Sequence, residues 1–330
     1  MKKIATIITT IAMLATTTGC RVESTPDAKT TVGKDYQVVV ICDDEAWKGD
    51  LSMAVCDLLE EDIDGLVRPQ GHVDIGKQVS LNKATDADRR YGITLVIKLA
   101  PTTEEPSYKV TSDIYARPQI IVTLTAANAE QAIDYIKSHT AELREVMTAS
   151  EREEALKAAK GKSAKQLMED FKNSTGYSIV IPHSFSKANP ADESLTWYIR
   201  DYKNKAQYIF AFSTEYNPES DIATESKAIV DAINAKFNTI ASKDVTGSYM
   251  QIDMYRPVVV DVVNVNDRKM LELRGCWEVA RDYMGGSFTA YTIFEPETST
   301  ATVVIFALYA PEEAQRNLMR EMEALIYTLE

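Results

Sequence analysis

The stretch Ala301-Thr-Val-Val-Ile-Phe-Ala-Leu-Tyr309, followed by Ala310-Pro311 and residues 312–330, contains the two patterns on which the fold class depends. Its β-branched and aromatic run is typical of a strand, and Pro311 stands at a position favoured at the start of a helix. The residues that then recur at the spacing of one apolar helical face are Ala314, Leu318, Met322, Leu325 and Leu329. This stretch predicts a strand followed by an amphipathic helix that begins at Pro311.

Strand-like runs followed by a helix recur upstream in the second half of the chain. Runs rich in β-branched and aromatic residues predict strands over residues 178–181, 195–200, 207–213, 258–265, 270–280, 288–294 and 301–309. Apolar residues at helical spacing predict a helix over residues 219–240. Several strands before each helix are typical of antiparallel sheets with helices packed on one face.

The first half contains the same kinds of element. Strands are predicted over residues 37–41, 91–99 and 119–125, and a helix over residues 46–61. Asn128, with Gln131 three residues later, predicts a helix start of the capping-box type, and an apolar stripe continues that helix to Met147. The sequence predicts the α+β class, built from repeated strands-then-helix units. A highly charged run that ends at Gly161 predicts the boundary between an N-terminal subdomain, residues 36–160, and a C-terminal subdomain, residues 161–330.

The N-terminus has the layout of an export signal. Lys2 and Lys3 precede an apolar segment over residues 4–14, and small residues precede Cys20. This predicts a signal peptide over residues 1–19, with Cys20 acylated by fatty acids such as palmitate and a flexible tether over residues 20–35. Thr17 departs from this pattern, because bacterial lipoproteins usually carry an aliphatic residue there. An ordinary cleaved signal with an incidental cysteine is the alternative.

Composition limits the classes of partner. The chain has a formal charge of −13, which is poorly suited to binding nucleic acid or anionic lipid headgroups. Membrane association is therefore expected through the N-terminal lipid. The predicted location is the cell envelope, at the outer membrane, with the side that the protein faces left open.

Three cysteines remain after Cys20. Cys42 ends a predicted strand and Cys56 lies on a predicted helix, so these two and Cys276 are expected to be small buried apolar residues. A disulfide between some pair of them is the alternative, because the envelope is oxidising.

No complete catalytic or metal-binding signature is present, so no cofactor and no metal are predicted. Ser287 follows a glycine pair but lacks the flanking pattern of a nucleophile elbow. All three histidines, His72, His139 and His183, precede Cys276, whereas cysteine proteases carry the histidine after the nucleophile. Whether the protein is an enzyme is left open, with a non-catalytic role favoured. The alternative is an uncommon hydrolase whose site is assembled from acidic residues or Ser287.

Several motifs in this order resemble one family of envelope lipoproteins from Bacteroidetes-type bacteria, catalogued as domain of unknown function 4837. They are residues 38–44 with Trp47, Tyr115-Ala-Arg-Pro-Gln119, Gly247-Ser-Tyr-Met250, Arg274-Gly-Cys-Trp277, Met284-Gly-Gly286, Tyr309-Ala-Pro311 and Glu323-Ala-Leu-Ile-Tyr327. The family tends to have proline after the glycine pair, where this chain has Ser287. The resemblance spans nearly the whole mature chain and implies the lipoprotein address and one architecture, but no activity.

Trp47, Arg117, Arg274 and Trp277 lie at or near predicted strand ends within these motifs. Arginine beside tryptophan suits recognition of carboxylates, glycans or a protein partner, so these four are the candidate ligand- or partner-binding residues. The alternative is that the tryptophans belong to the core and the arginines are solvated. The sequence favours a lipid-anchored, non-catalytic binding module of the envelope, with an envelope protein or glycan as its partner.

Overall fold

The first half of the chain forms a five-stranded sheet and three helices, as seen in a computed structural model that describes residues 29–330. The strand order is β2-β1-β3-β5-β4. The elements are β1 Gln37–Ile41, α1 Asp50–Glu60, β2 Asp74–Val79, β3 Ile93–Leu99, β4 Ser107–Ser112, β5 Ile120–Ala126, α2 Ala129–Ser138 and α3 Thr140–Gly161.

This first sheet is mixed, whereas the prediction was of antiparallel sheets. β1 pairs in parallel with β2 and β3, β3 pairs in parallel with β5, and only β4 is antiparallel to its neighbour. The reason is that α1 lies between β1 and β2 and returns the chain to the starting end of the sheet, as parallel pairing requires. All three helices pack on one face, as expected, against Val38, Val40 and Leu95.

The second half forms an eight-stranded antiparallel sheet in the order β10-β11-β12-β13-β8-β7-β6, with β9 also paired to β11. The elements are α4 Lys165–Thr175, β6 Ser186–Lys187, β7 Thr196–Tyr202, β8 Lys205–Glu215, α5 Ser226–Phe237, β9 Tyr249–Ile252, β10 Val259–Val265, β11 Arg268–Ala280, β12 Gly285–Glu295, β13 Thr300–Tyr309, and α6 Arg316–Glu323, which continues as a 3₁₀ helix over Ala324–Thr328. The α+β class is therefore confirmed.

Helices cover both faces of this second sheet, where packing on one face was predicted. On β13, Val304 and Phe306 face α4 and α6, while Val303 and Ile305 face α5. All four side chains are fully buried. A strand that is apolar at every position requires cover on both sides, since successive side chains point to opposite faces.

Several element boundaries differ from the predictions. No strand forms over residues 178–181, α4 was not predicted, and the predicted helix over residues 219–240 is regular only over Ser226–Phe237. The cap at Asn128 is confirmed, because its side chain accepts a hydrogen bond from the backbone N–H of Gln131 at 2.9 Å. The helix that starts there ends at Ser138, and a separate helix, α3, begins after His139.

The last helix begins at Arg316, so the predicted start at Pro311 is wrong. The backbone N–H groups of Gln315 and Arg316 both donate to the side-chain oxygen of Gln70, at 2.9 Å for Arg316. This cap comes from the first half of the chain, which is why the local sequence does not reveal it. Ala314, predicted to lie on the apolar face, is exposed.

Residues 30–32 are attached to the folded body, so the chain is fixed before the predicted end of the tether at residue 35. Thr30 bridges Arg117, and Val32 bridges Tyr91. None of the helices within residues 29–330 is long and apolar enough to cross a membrane. The predicted signal peptide and Cys20 lie outside the described residues.

The helix α6 contacts both halves of the structure. Arg316 forms an ion pair with Asp74 of β2, with an Nη1–Oδ1 distance of 2.8 Å, and donates to the carbonyl oxygen of Gly71 at 3.0 Å. The other face of α6 contributes Met319 and Met322 to the core of the second sheet. The helix therefore fixes the position of the segment that precedes β2 relative to β11.

Candidate functional site

A polar pocket lies where that segment, α3, β11 and α6 meet. It consists of two adjoining cavities of about 430 and 340 Å³. Six residues line both cavities: His72, Arg144, Glu272, Arg274, Arg320 and Glu323. We call this site the central pocket.

Simple periodicities place these side chains. On α6, Arg316, Arg320 and Glu323 follow each other at four and three residues and therefore lie on one helical face. On β11, Glu272 and Arg274 are two residues apart and therefore point to the same face of the sheet. The α6 face rests on this β11 face, which brings the charged groups together.

Arg274 is the centre of a buried ion-pair network. Its Nε atom lies 2.7 Å from Glu272, and its Nη1 atom lies 2.7 Å from Glu323. Thr289 also donates its hydroxyl to Glu323, at 2.7 Å. Burial raises the pKa of Glu323, but the charge and hydrogen bonds of Arg274 outweigh burial and hold that pKa below its ordinary value. Both partners are therefore ionised.

Arg320 differs from Arg274 because it forms no ion pair with any carboxylate among residues 29–330. Its Nη1 atom donates to the carbonyl oxygen of His72 at 2.8 Å, and its Nη2 atom donates to Nδ1 of the same residue at 3.2 Å. Its guanidinium group lies over the ring of Tyr36, 4.6 Å from the centroid. Burial is the largest cause that lowers the pKa of Arg320 from its ordinary value.

His72 is neutral near pH 7. Burial, followed by the charges of Arg144 and Arg320, lowers the pKa of His72 to about 4. Because an arginine can only donate, the Nδ1 atom of His72 accepts from Arg320 and its proton resides on Nε2. His72 thus adds an uncharged donor to the pocket.

Three tyrosines, Tyr36, Tyr291 and Tyr327, line the second cavity. Burial raises the pKa of Tyr36 to about 12 and that of Tyr291 well above its ordinary value, so both phenols are neutral. Within residues 29–330, none of the three hydroxyl groups has a hydrogen-bond partner. In the described part of the chain, these hydroxyl groups donate a hydrogen bond to no backbone or side-chain acceptor.

Arg274 is the sequence-predicted site residue that lies in the pocket. Trp277, by contrast, is three residues further along β11 and therefore points to the opposite face of the sheet. There it is 3% exposed, its indole N–H donates to the carbonyl oxygen of Leu308 at 3.3 Å, and it packs edge-on against Tyr208. Trp277 and Arg274 therefore do not lie side by side in one site, and the alternative that the tryptophan belongs to the core holds for Trp277.

Arg117 and Trp47 lie elsewhere, and neither lines the central pocket. Arg117 precedes a cis peptide bond to Pro118 and forms an ion pair with Asp113 at 2.9 Å, with 43% of its side chain exposed. Trp47 is half-buried against the core of the first sheet. The structure does not bring these two together with Arg274, and a binding role for them stays a prediction.

The glycines that follow Arg274 in the chain are part of strands. Gly275 lies in β11, and Gly285 and Gly286 lie in β12. At Gly286 a Cβ atom would stand 1.7 Å from the carbonyl oxygen of Leu308. Close approach of β13, rather than a turn, requires glycine there.

Ser287 is placed as a structural hydroxyl. It is fully buried, donates to the side-chain oxygen of Gln315 at 2.6 Å and accepts from the backbone N–H of Val67 at 3.0 Å. Gln315 is an amide and cannot act as a general base. The hydrolase alternative based on Ser287 therefore has no geometric support.

The cysteines and acidic clusters show no reactive arrangement. Cys42, Cys56 and Cys276 are free, so the disulfide alternative is wrong, and burial raises the pKa of Cys276. Within residues 29–330, no group of three potential metal ligands is present.

A larger cleft of about 800 Å³ lies beside the later turns of α3. Its lining includes Val32, Glu151, Ala158 and the loop around Phe185. It also contains Arg200, whose Nη2 atom is 2.8 Å from Glu321. The charge of Arg200 is thus neutralised within the protein.

The sequence analysis missed His72, Arg144, Arg320 and the three tyrosines. The one usable signal was the spacing of Arg316, Arg320 and Glu323, which places three charges on one face of the predicted last helix. Their contacts with His72 and Arg274 depend on residues far away in the chain.

These features define a class of protein: a two-sheet α+β protein with a donor-rich pocket between the sheets. Residues 164–328 match a family described as a domain of unknown function, DUF4837. The chain belongs to this family.

The match covers the second half, whereas the resemblance was expected to span nearly the whole mature chain. Residues 31–160 instead match a second domain of unknown function, DUF8532. The motifs around Trp47 and Arg117 therefore belong to a region with its own family description.

No curated protein matches the chain. Among solved structures, a point mutant of protein Mog1 aligns with a TM-score of 0.32 and 10% identity, over 47% of this chain and 89% of that chain. No fold relationship follows from a similarity this low.

Proposed function

We propose that this protein is a lipid-anchored module of the cell envelope that binds a ligand in the central pocket and does not change it chemically. One observation carries the proposal. In the central pocket, Arg320 makes no direct ion pair, and the hydroxyl groups of Tyr36, Tyr291 and Tyr327 make no hydrogen bond, with any group among residues 29–330. A bound molecule would supply those partners.

The reactive groups around the pocket favour binding over catalysis. Glu323 is held ionised by Arg274, which makes it a poor general acid. His72 is neutral and accepts from Arg320 through Nδ1, so it is not free to take a proton at that atom. The pocket thus offers hydrogen-bond donors and fixed charges but no activated nucleophile.

The anchoring part of the proposal rests on the sequence before the described residues. The basic start, the apolar segment and Cys20 have the layout of an exported lipoprotein. Several acyl chains, each contributing about 0.8 kcal/mol per buried methylene group, hold a protein at a membrane without further contacts.

Replacing Cys20 by serine is expected to abolish acylation and to release the protein from membranes without changing its melting temperature. Cys20 lies in the segment predicted from the sequence to be a flexible tether, so its replacement is expected to remove no packing. Metabolic labelling with a fatty-acid analogue, followed by membrane fractionation, measures this. The free cysteine variant Cys56→Ser is the matched control and should remain labelled. Equal labelling of the Cys20 variant would contradict lipidation at this residue.

Replacing Ala141 by tryptophan is expected to abolish ligand binding. Ala141 lies on the exposed side of α3 and lines the smaller cavity, so a large ring there fills the cavity without entering the core. The measurement is native mass spectrometry of the protein after exposure to a small-molecule extract of the envelope. We expect a bound species that denaturation releases unchanged.

The matched control is Ala158→Trp, an exposed alanine of the same helix that lines the larger cleft instead. This variant should retain the bound species. Loss of the species from Ala158→Trp with retention by Ala141→Trp would place binding in the larger cleft. Chemical conversion of the species would contradict the non-catalytic role.

A further inference from the structure

Four of the five arginines around the central pocket make a direct ion pair. Arg144 pairs with Glu61, Arg152 with Glu145, Arg274 with Glu272 and Glu323, and Arg316 with Asp74. Arg320 alone in this set makes no direct ion pair with a carboxylate among residues 29–330. It is half-buried, and Glu323 acts on its charge only from beyond ion-pair distance.

We infer that the central pocket binds the carboxylate group of a small organic monoanion, with Arg320 as the ion-pair partner of that group. This inference rests on the proposed function, because it names the class of ligand that the same pocket takes.

The donors of Arg320 are suited to an external acceptor. A guanidinium group carries five N–H donors, and only two bonds from Arg320 to protein acceptors are present, both to His72. The ring of Tyr36 covers one face of the planar guanidinium group. The remaining N–H groups in its plane match the two oxygens of a carboxylate.

The charges of the pocket favour a single negative charge on the ligand. Arg320 offers one guanidinium group that makes no direct ion pair among residues 29–330, and His72, Tyr36 and Tyr291 add uncharged donors. A second negative charge would face the carboxyl groups of Glu272 and Glu323, which line the same cavities. Cavities of about 430 and 340 Å³ fall in the size range of small-molecule sites.

The test uses the whole mature protein and isothermal titration calorimetry with two matched pairs of probes. The pairs are benzoate with benzamide and N-acetylalanine with its amide, in which the amide has no charge and an NH2 donor in place of one acceptor oxygen. We expect at least one carboxylate to bind and its amide to bind at least tenfold more weakly. Equal affinities within both pairs, or no carboxylate binding in the millimolar range, would overturn the inference.

Variants then test the residues. Arg320→Gln should weaken carboxylate binding at least tenfold with little change in melting temperature, because it removes a charge that has no internal ion pair. Tyr291→Phe should weaken binding severalfold, and Tyr283→Phe, at a fully exposed tyrosine, should have no effect. A large loss of stability in Arg320→Gln, with unchanged carboxylate affinity in Tyr291→Phe, would make these groups structural and overturn the inference.

Inorganic phosphate is tested as a further probe in the same calorimetric experiment. If phosphate binds more tightly than either carboxylate, and Arg320→Gln weakens phosphate binding, the pocket takes a phosphate and the carboxylate class is overturned.

The failure of the ligand class can be distinguished from the failure of the proposed function. If neither carboxylate binds while an envelope species still binds and is lost in Ala141→Trp, the ligand class is wrong and the binding function stands. If neither probes nor extract yield a bound species, the binding function itself fails.

Discussion

Replacing Arg274 by alanine is expected to lower the free energy of unfolding by about 3–5 kcal/mol, the usual cost of removing one partner from a buried ion pair. The substitution leaves Glu272 and Glu323, whose side chains are each only 11% exposed, without the guanidinium group that holds both. Urea denaturation measures the change. Arg117→Ala is the matched control and is expected to change stability by no more than about 0.5 kcal/mol, because its ion pair with Asp113 is largely exposed.

The pH dependence of the Arg274→Ala effect provides a second check. In the native protein the pKa of Glu323 is lowered, so its contribution to stability is present at neutral pH and is lost as the pH falls through the folded-state pKa. In the variant, burial is the main effect on Glu323 and raises its pKa. Protonation of Glu323 then relieves the cost of burying a charged carboxylate. The stability gap between the two proteins should therefore narrow as the pH is lowered. A gap that stays constant with pH would show that Glu323 does not carry the effect.

Deleting residues 312–330 is expected to produce an insoluble or protease-sensitive protein. The deletion removes five large buried apolar side chains: Met319, Met322, Leu325, Ile326 and Leu329. Each contributes about 1.5–3 kcal/mol, and the sum is comparable to the total stability of about 5–15 kcal/mol that a folded protein has. Solubility after expression and the rate of limited proteolysis measure the outcome.

A point substitution distinguishes the loss of core packing from the effect of shortening the chain. Met322→Ala should cost about 2–5 kcal/mol, whereas Met53→Ala, at a residue that is 58% exposed, should have little effect. A truncated protein with an unchanged melting curve would show that the last helix does not stabilise the fold.

The sequence predicted best what depends on neighbours in the chain. The strand over Gln37–Ile41 and the cap at Asn128 were found because β-branched runs and capping boxes are local patterns. The start of the last helix was misplaced because its cap is Gln70, 246 residues before Arg316. Local propensity cannot reveal a partner at that separation.

The candidate site shows the same limit. Arg274, selected from the sequence as a candidate binding residue, lies in the central pocket, but Trp277, selected with it, does not, because the two-residue period of a strand puts the two side chains on opposite faces. Arg320 was missed because its significant property is the lack of a carboxylate partner. Whether an arginine has such a partner depends on how distant segments pack together. Local sequence patterns do not predict that packing.

The attachment of α6 to the segment before β2 has a consequence for how the protein is made. Arg316 and Asp74 are separated by 242 residues along the chain, and contacts of such long range form late and slowly during folding. A growing chain contains all five strands of the first sheet before α6 has been synthesised. The central pocket is therefore incomplete until α6 follows, because Arg316, Arg320 and Glu323 lie on that helix.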